Sequence, residues 1–174
     1  MNTPLGTVRQ VAYVVDDMDR ALDYWITVMK AGPFFLFEHA VMENQRYRGA
    51  ASNVDATLAV GNTGDVQIEL IYCENDAPSV YREFLEAGRT GVHHLGLMPE
   101  NYQETFDRYA ALGYEPAFEC SIAGTELVYF DTVKTLGHFT ELWQNSEAFK
   151  DFLEAVKAAS RGWDGSDPVR TGAL

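Results

Sequence analysis

Basic side chains are scarce in this chain, which has 13 lysines and arginines against 26 aspartates and glutamates. The formal net charge of −13 argues against nucleic acid as a partner, because the phosphate backbone requires clustered basic side chains. It also disfavours polyphosphate ligands, except at a local basic patch. The candidate patch is Arg46 and Arg48, which we interpret either as substrate-binding residues or as part of a solvated loop.

Cysteines and long apolar runs are also few. Cys73 and Cys120 lie far apart without CxxC spacing, which favours buried reduced thiols over a disulfide or a catalytic cysteine. No apolar run approaches the roughly 18 residues that a membrane span needs, and the N-terminus lacks the basic and apolar regions of a signal peptide. The sequence therefore predicts a cytoplasmic protein with no membrane partner.

One order of elements, strand-helix-strand-strand-strand, occurs twice. The first copy has a strand at 7–15, a helix between Asp17 and Gly32, and the strands PFFLFEHAV, NVDATLAVG and DVQIELIYC, with a polar loop reaching Gly49. The second has the strand GVHHLGLM, a helix opened by Asn101 and Glu104, and the strands EPAFEC, ELVYFDT and HFTELWQ. An amphipathic helix, SEAFKDFLEAVKAAS, and a coil tail follow.

The two copies align at both ends. Without a gap, the first strands place Gln10 on His94, and the last strands place Glu69 on Glu141. We therefore predict an α+β fold of two tandem βαβββ modules that form a half-open barrel. The predicted domain covers 1–145, with modules at about 7–75 and 91–145 joined by a helix at 78–88, and a C-terminal helix and coil tail cover 146–174.

Two histidines are adjacent in the strand GVHHLGL. Because side chains alternate along a strand, His93 and His94 are predicted to face opposite sides of the sheet. Only His94 is in register with Gln10. We interpret His93, His39 and His138 as structural residues, and a hydrogen-bonded core position remains an alternative for His94 itself.

Glu69 and Glu141 interrupt apolar strands and have no obvious lysine or arginine partner. Burying an ionised carboxylate costs several kcal/mol unless it is partnered. Either the two side chains face solvent on an uncovered side of the sheet, or a divalent cation neutralises both. Alternation places Gln67 and Trp143 on the same faces as the two glutamates.

The duplicated pattern, together with the HHLGL, IEL and TEL strands, resembles the vicinal oxygen chelate superfamily, also described as the glyoxalase/bleomycin resistance/dioxygenase type. The layout is most similar to the methylmalonyl-CoA epimerase and glyoxalase branch. The resemblance implies a divalent metal (Zn, Ni, Co, Mn or Mg) bound by Gln10, Glu69, His94 and Glu141, and a homodimer. Gln10 could instead contact substrate or fill space.

The resemblance implies an isomerase, epimerase or lyase that moves a proton next to a metal-chelated carbonyl of a small substrate. Glu141 or Glu69 would be the base, and Arg46, Arg48, Gln67 and Trp143 are candidate substrate contacts. The alternative is a metal-free binding protein of the bleomycin-resistance type, with a cleft lined by Phe34, Phe35, Tyr129 and Trp143. A dioxygenase is disfavoured because its facial triad needs two histidines.

Overall fold

The computed structural model describes residues 6–172, which form one sheet with five helices in the described range. The elements in chain order are β1 (Val8–Val14), α1 (Met18–Asp23, continued by a π-helical turn at Tyr24–Val28), β2 (Phe34–Phe37), β3 (Glu43–Tyr47), β4 (Ala50–Ala51), β5 (Ala56–Thr63), β6 (Val66–Cys73), α2 (Val80–Glu86), β7 (Gly91–Leu97), α3 (Tyr102–Ala111), β8 (Pro116–Ile122), β9 (Thr125–Phe130), α4 (Val133–Leu136), β10 (Phe139–Trp143), α5 (Glu147–Ser160) and β11 (Val169–Thr171).

The sheet is open, and its strand order is β11-β2-β5-β6-β1-β7-β10-β9-β8-β3-β4. β1 and β7, the first strands of the two halves, pair antiparallel at its middle. Each is flanked by the last strand of its own half in parallel, β6 beside β1 and β10 beside β7. The predicted duplication and the α+β class are confirmed, and the four central strands are those that carry the candidate ligands.

Strand alternation sorts the side chains as the sequence predicts. Ala12 and Val14 of β1 lie in the core on the inner face of the sheet, together with Ile71, Phe139 and Trp143. Ile68 and Leu70 of β6 belong to a separate cluster on the outer face, where α1 packs. Leu142 lies in a third cluster, against side chains of α3.

Four elements lie where the sequence suggested coil or turn. β3 and β4 fall in the predicted polar loop, and β3 pairs antiparallel with β8 of the other half, with Tyr47 opposite Phe118. Side-chain hydrogen bonds stabilise the segment around β3, since the Gln45 amide donates to the carbonyls of Met42 and Val54. α4 is a short helix before β10, and β11 of the tail pairs in parallel with β2.

Helix α5 covers the inner face of the sheet. Ser146 caps it by accepting a hydrogen bond from the Phe149 amide. The Phe149 ring lies 5.0 Å from that of Trp143, and the Phe152 ring 5.9 Å from that of Phe37, between ring centres. The helix therefore closes the concave side with aromatic side chains. No helix within residues 6–172 is both long and apolar enough to cross a bilayer.

Candidate metal centre

Each of the four central strands contributes one side chain to a cluster, and three of these side chains approach the fourth at one atom, Nε2 of His94. This nitrogen lies 3.1 Å from Gln10 Oε1, 3.1 Å from Glu141 Oε2 and 3.5 Å from Glu69 Oε2. All four residues are buried. The sequence paired these positions by repeat alignment, and the structure brings the residues together.

A β-bulge places both histidines of β7 on one side of the sheet. Ala12 of β1 pairs with His94 and Tyr13 pairs with Val92, so His93 has no opposite residue. The two Nδ1 atoms lie 2.9 Å apart. The expectation that His93 and His94 face opposite sides is therefore wrong, because alternation is lost at a bulge.

The hydrogen bonds of His93 determine the tautomer of His94. His93 Nε2 lies 3.2 Å from the Val80 carbonyl oxygen, which can only accept, so this nitrogen carries a hydrogen. Burial, followed by the neighbouring His94, lowers the pKa of His93 well below its usual value and keeps the ring neutral. Its Nδ1 is then an acceptor, and His94 Nδ1 must donate to it. A neutral His94 therefore presents a lone pair at Nε2.

The orientation of Gln10 places a further hydrogen-bond acceptor beside His94 Nε2. Its Nε2 donates to Gln67 Oε1 at 2.8 Å, which turns its oxygen toward His94. A lone pair, an amide oxygen and two carboxyl groups then converge, and only a carboxyl proton could lie between them. A proton on one carboxylate satisfies one of these contacts, whereas a cation satisfies all of them.

The donor set fits a divalent cation. Ligands at about 2.1 Å from a cation lie about 3.0 to 3.4 Å from one another in octahedral or tetrahedral geometry, close to the spacing observed here. Within residues 6–172, no group of three or more His, Cys, Asp and Glu side chains is placed so that it could hold a metal ion without rearrangement. The imidazole nitrogen is itself the shared contact point, so the ligands must spread slightly to admit a cation.

The two carboxylates differ in their environment. Burial and then repulsion from Glu141 raise the pKa of Glu69 well above its usual value. The Glu69 side chain is 11% exposed and that of Glu141 is 3% exposed. Glu69 is thus the more accessible carboxylate and the one farther from His94.

A cavity of about 40 Å³ lies between these side chains and α5. Gln10, Glu69 and Glu141 line it, and His94 is fully buried behind them. Gln67 and Trp143, both predicted to contact substrate, also line it. Among the described lining residues there is no lysine or arginine, and most of the remainder are apolar: Phe37, Met42, Leu58, Val60, Ile122, Leu127, Phe149 and Phe152.

The arginines proposed from the sequence lie elsewhere. The Arg48 guanidinium is 2.8 Å from both Glu83 and Asp131, and Arg46 donates to the Gly49 carbonyl oxygen at 2.6 Å. Neither arginine is among the described residues that line the cavity. These contacts support a structural role for Arg48, in joining the two halves of the chain.

Some of the other aromatic and histidine side chains singled out in the sequence line the cavity, and others lie away from it. Tyr129 lines the cavity with Trp143, whereas Phe34 packs in the outer cluster and Phe35 contacts Arg170. The two remaining histidines make structural contacts, His39 with Asp55 at 2.9 Å and His138 with the Phe139 carbonyl.

Sequence reasoning named Tyr129 as a cleft-lining residue but missed Tyr81 and the pairing of the two tyrosines. The hydroxyls of Tyr81 and Tyr129 lie 2.9 Å apart, and both side chains line the cavity. Burial raises the pKa of both phenols well above the usual value and keeps them protonated. One hydrogen joins the two hydroxyls, and the second has no acceptor among the described protein atoms, so it is free for a ligand. Tyr81 lies on α2, where the sequence offers no signal for this role.

Comparison with known proteins agrees with this architecture. Residues 9–130 match the family model described as the Glyoxalase/Bleomycin resistance protein/Dioxygenase superfamily. No protein of curated function matches the sequence.

Solved structures of low sequence identity share the fold. A hypothetical protein from Bacillus halodurans C-125 has a TM-score of 0.59 at 16% identity, over 81% of this chain and 95% of that one. Methylmalonyl-CoA epimerase from Mycobacterium tuberculosis has a TM-score of 0.59 at 14% identity, over 87% and 95%. A single-residue variant of Streptomyces coelicolor methylmalonyl-CoA epimerase, in complex with 2-nitronate-propionyl-CoA, has a TM-score of 0.52 at 15% identity, over 82% and 96%.

The family model covers well over half of the chain, and the doubled module with its central strand pair agrees with it. The chain therefore belongs to the glyoxalase/bleomycin resistance/dioxygenase superfamily, the vicinal oxygen chelate proteins.

Proposed function

We propose that this protein is a divalent-metal-dependent isomerase, epimerase or lyase that moves a proton beside the carbonyl of a small substrate. Gln10, Glu69, His94 and Glu141 would hold the metal. The observation that carries the proposal is the convergence of three side-chain oxygens on an imidazole nitrogen that presents a lone pair when the ring is neutral, because Nδ1 donates to His93. When bound, such a metal stabilises negative charge that develops on a substrate carbonyl oxygen.

We assign the base to Glu69. Its side chain is more accessible from the cavity than that of Glu141, and its contact with His94 is the longer of the two, 3.5 Å against 3.1 Å. A carboxylate held less tightly can turn toward a substrate C–H while Glu141 stays in place. In this assignment Glu69 accepts the proton and returns it to the neighbouring carbon, whereas inversion at the same carbon would need a second proton donor on the opposite face.

The tyrosine pair supplies a hydrogen-bond donor. The uncommitted hydrogen of Tyr81 or Tyr129 is available to a substrate oxygen in the same cavity as Glu69. The shared hydrogen bond holds the donating hydroxyl in place before substrate arrives. Donors fixed in advance stabilise developing charge more effectively than mobile water does.

The cavity restricts the substrate. Its walls are apolar apart from the polar groups near Glu69, so the body of the substrate should be apolar. A volume of about 40 Å³ has room for only a few water molecules, so α5 would have to move to admit an organic molecule. Phe149 and Phe152 then close over the substrate and exclude water.

All four candidate ligands come from one chain, so the centre does not need a second copy to be complete. The homodimer stays a proposal. Light scattering coupled to size-exclusion chromatography measures the mass directly, and twice the chain mass of 19.5 kDa is the expected result.

Metal content and proton exchange test the proposed function. Purified protein is analysed for metal before and after chelation, beside His94→Ala and Glu141→Ala. We expect the wild type to regain one ion per chain and both variants to bind much less. Unchanged content in both variants would refute the site.

If metal binds, nuclear magnetic resonance in deuterated water follows exchange of substrate C–H across 2-oxo acids, hemithioacetals and acyl-CoA esters. Exchange in one class that chelation abolishes supports the enzyme. Tight binding of an apolar ligand by metal-free protein, with no exchange, would instead indicate a sequestering protein.

A further inference from the structure

A second space, of about 220 Å³, adjoins the inner cavity; we call it the outer cleft. It lies between one side of α5 and residues of β1, β5 and β6, and Gln67 lines both spaces. The cleft walls include the cations Arg9, Lys150 and Lys157 beside the acids Asp65 and Glu154, whereas no lysine or arginine lies among the described lining residues of the inner cavity. A ligand that reaches past Gln67 therefore passes from an acidic, apolar space into one that contains cations.

Two buried amides at this boundary have unused hydrogen-bonding capacity. Asn62 of β5 and Gln67 of β6 are opposite one another in the sheet, and they are 4% and 3% exposed. Asn62 Oδ1 and Gln67 Nε2 have no hydrogen-bond partner among the described atoms. Buried polar atoms are paired in most proteins, because an unpaired one costs stability. Both residues line the outer cleft, where a ligand can supply the partner.

The orientation of Gln67 is set from the inside. Its oxygen accepts a hydrogen bond from Gln10 at 2.8 Å, which leaves its NH₂ group as the free end. The same bond turns the Gln10 oxygen toward His94. An acceptor placed in the outer cleft would therefore hold the Gln67 and Gln10 amides in the orientation that the candidate metal centre uses.

The lysines of the cleft are held only by exposed acids. Lys157 lies 2.8 Å from Asp65, and Lys150 lies 2.7 Å from Glu147, but these acidic side chains are 89% and 85% exposed. Exposed ion pairs of this kind contribute little and exchange readily. A ligand anion in the cleft can replace the acids as the partner of the lysines. Such a cleft is unusual in a chain with a net charge of −13.

We propose that the outer cleft binds a carboxylate group of the substrate, with Gln67 Nε2, Lys150 and Lys157 as donors and Arg9 as an additional cation. This proposal rests on the proposed function only in treating the occupant as the substrate of the inner site. The substrate class is then a carbonyl compound that has a carboxylate separated by a short apolar body from the reacting carbon. The lysines, drawn inward by the carboxylate, can also donate to Asn62 Oδ1.

A charged probe and its neutral counterpart test the proposal without metal or turnover. Butanoate and butanamide are titrated into chelator-treated protein, and the side-chain amide signals of Asn62 and Gln67 are followed by nuclear magnetic resonance. We expect butanoate to move both signals and to bind about tenfold more tightly than butanamide, as one charge-assisted hydrogen bond provides. The double variant Lys150→Gln/Lys157→Gln should lose this preference, and Lys134→Gln on α4 should keep it.

Equal binding of the two probes, or a preference that survives the double variant, would overturn the carboxylate site. Because the titration uses metal-free protein, its outcome is independent of the metal analysis. A charge preference at Asn62 and Gln67 in a protein that binds no metal would leave the cleft in place and refute the proposed function. Metal binding without a charge preference would leave the candidate metal centre in place and refute the carboxylate site.

Discussion

At the scale of single residues, the candidate centre depends on which atom of His94 carries its hydrogen. The repeat alignment paired Gln10 with His94 and Glu69 with Glu141, and the resemblance to the vicinal oxygen chelate proteins implied that these four residues are metal ligands. It could not identify His93, because its contribution depends on a bulge and on the Val80 carbonyl, neither of which leaves a pattern in the sequence. A structural histidine thereby acquires a positioning role.

Replacing His93 tests that role. In His93→Leu, His94 Nδ1 loses its acceptor and the ring can place a hydrogen on Nε2, so we expect metal affinity to fall about 10- to 100-fold, as for other partners of metal-binding histidines. Competition with a chromophoric chelator measures the affinity. His138→Gln is the matched control and should bind metal normally. An unchanged metal affinity in a folded His93→Leu protein would show that His93 does not position His94.

The two glutamates should separate by function. Glu69→Gln is expected to lower substrate proton exchange by at least about 100-fold, the usual range for loss of a general base, while most of the metal stays bound. Glu141→Gln should lose metal first, because its carboxylate is the closer to His94. Exchange rates and metal content are measured on both variants. The reverse order would assign the base to Glu141.

The cysteines give a prediction about pH. Burial, the main cause, raises the pKa of Cys73 to about 11, and burial also raises that of Cys120. Because the thiolate is the reactive form, alkylation of Cys73 by iodoacetamide should be slow at neutral pH and should accelerate until the pH approaches about 11. Mass spectrometry of the labelled peptides follows each thiol. Rapid labelling of Cys73 at neutral pH would contradict the burial seen here.

At the scale of elements, hydrophobic periodicity predicted the strands and helices that have a local sequence pattern. It missed the strands that form only by pairing with a strand distant in sequence. The alternating strands β1, β6 and β10 were recognisable because one side of each packs in the core. β3 has no alternating apolar residues, since its side chains are mostly exposed, and it exists by pairing with β8. β11 is three residues long and owes its place to β2, which no local pattern shows.

Gly96 of β7 lies directly against Trp143 of β10. A Cβ added at Gly96 would overlap the ring of Trp143, which in turn packs against Phe149 of α5. We expect Gly96→Ala to destabilise the fold by about 1–3 kcal/mol, the usual effect of overpacking, as measured by urea unfolding. Adding Trp143→Phe should restore part of the loss. Equal stabilities of Gly96→Ala and wild type would show that the ring moves freely.

At the scale of the whole molecule, the sheet brings together acids that the sequence keeps far apart. The duplicated order of elements could be predicted because each half repeats the same pattern, but the antiparallel pairing of β1 with β7 was seen only in the structure. The closure of the inner face by α5 could not be predicted, since the pattern of an amphipathic helix does not indicate which surface the helix covers. That closure leaves Glu69 and Glu141 in a space where no described lysine or arginine side chain compensates them.

Nitrogen NMR of histidine-labelled protein, recorded before and after stoichiometric Zn²⁺, tests both the tautomer of His94 and its role as a metal ligand. We expect His94 to have its hydrogen on Nδ1 and Zn²⁺ to shift its Nε2 signal, while the signals of His39 and His138 remain in place. A His94 ring with its hydrogen on Nε2, and a spectrum that Zn²⁺ does not change, would contradict this expectation.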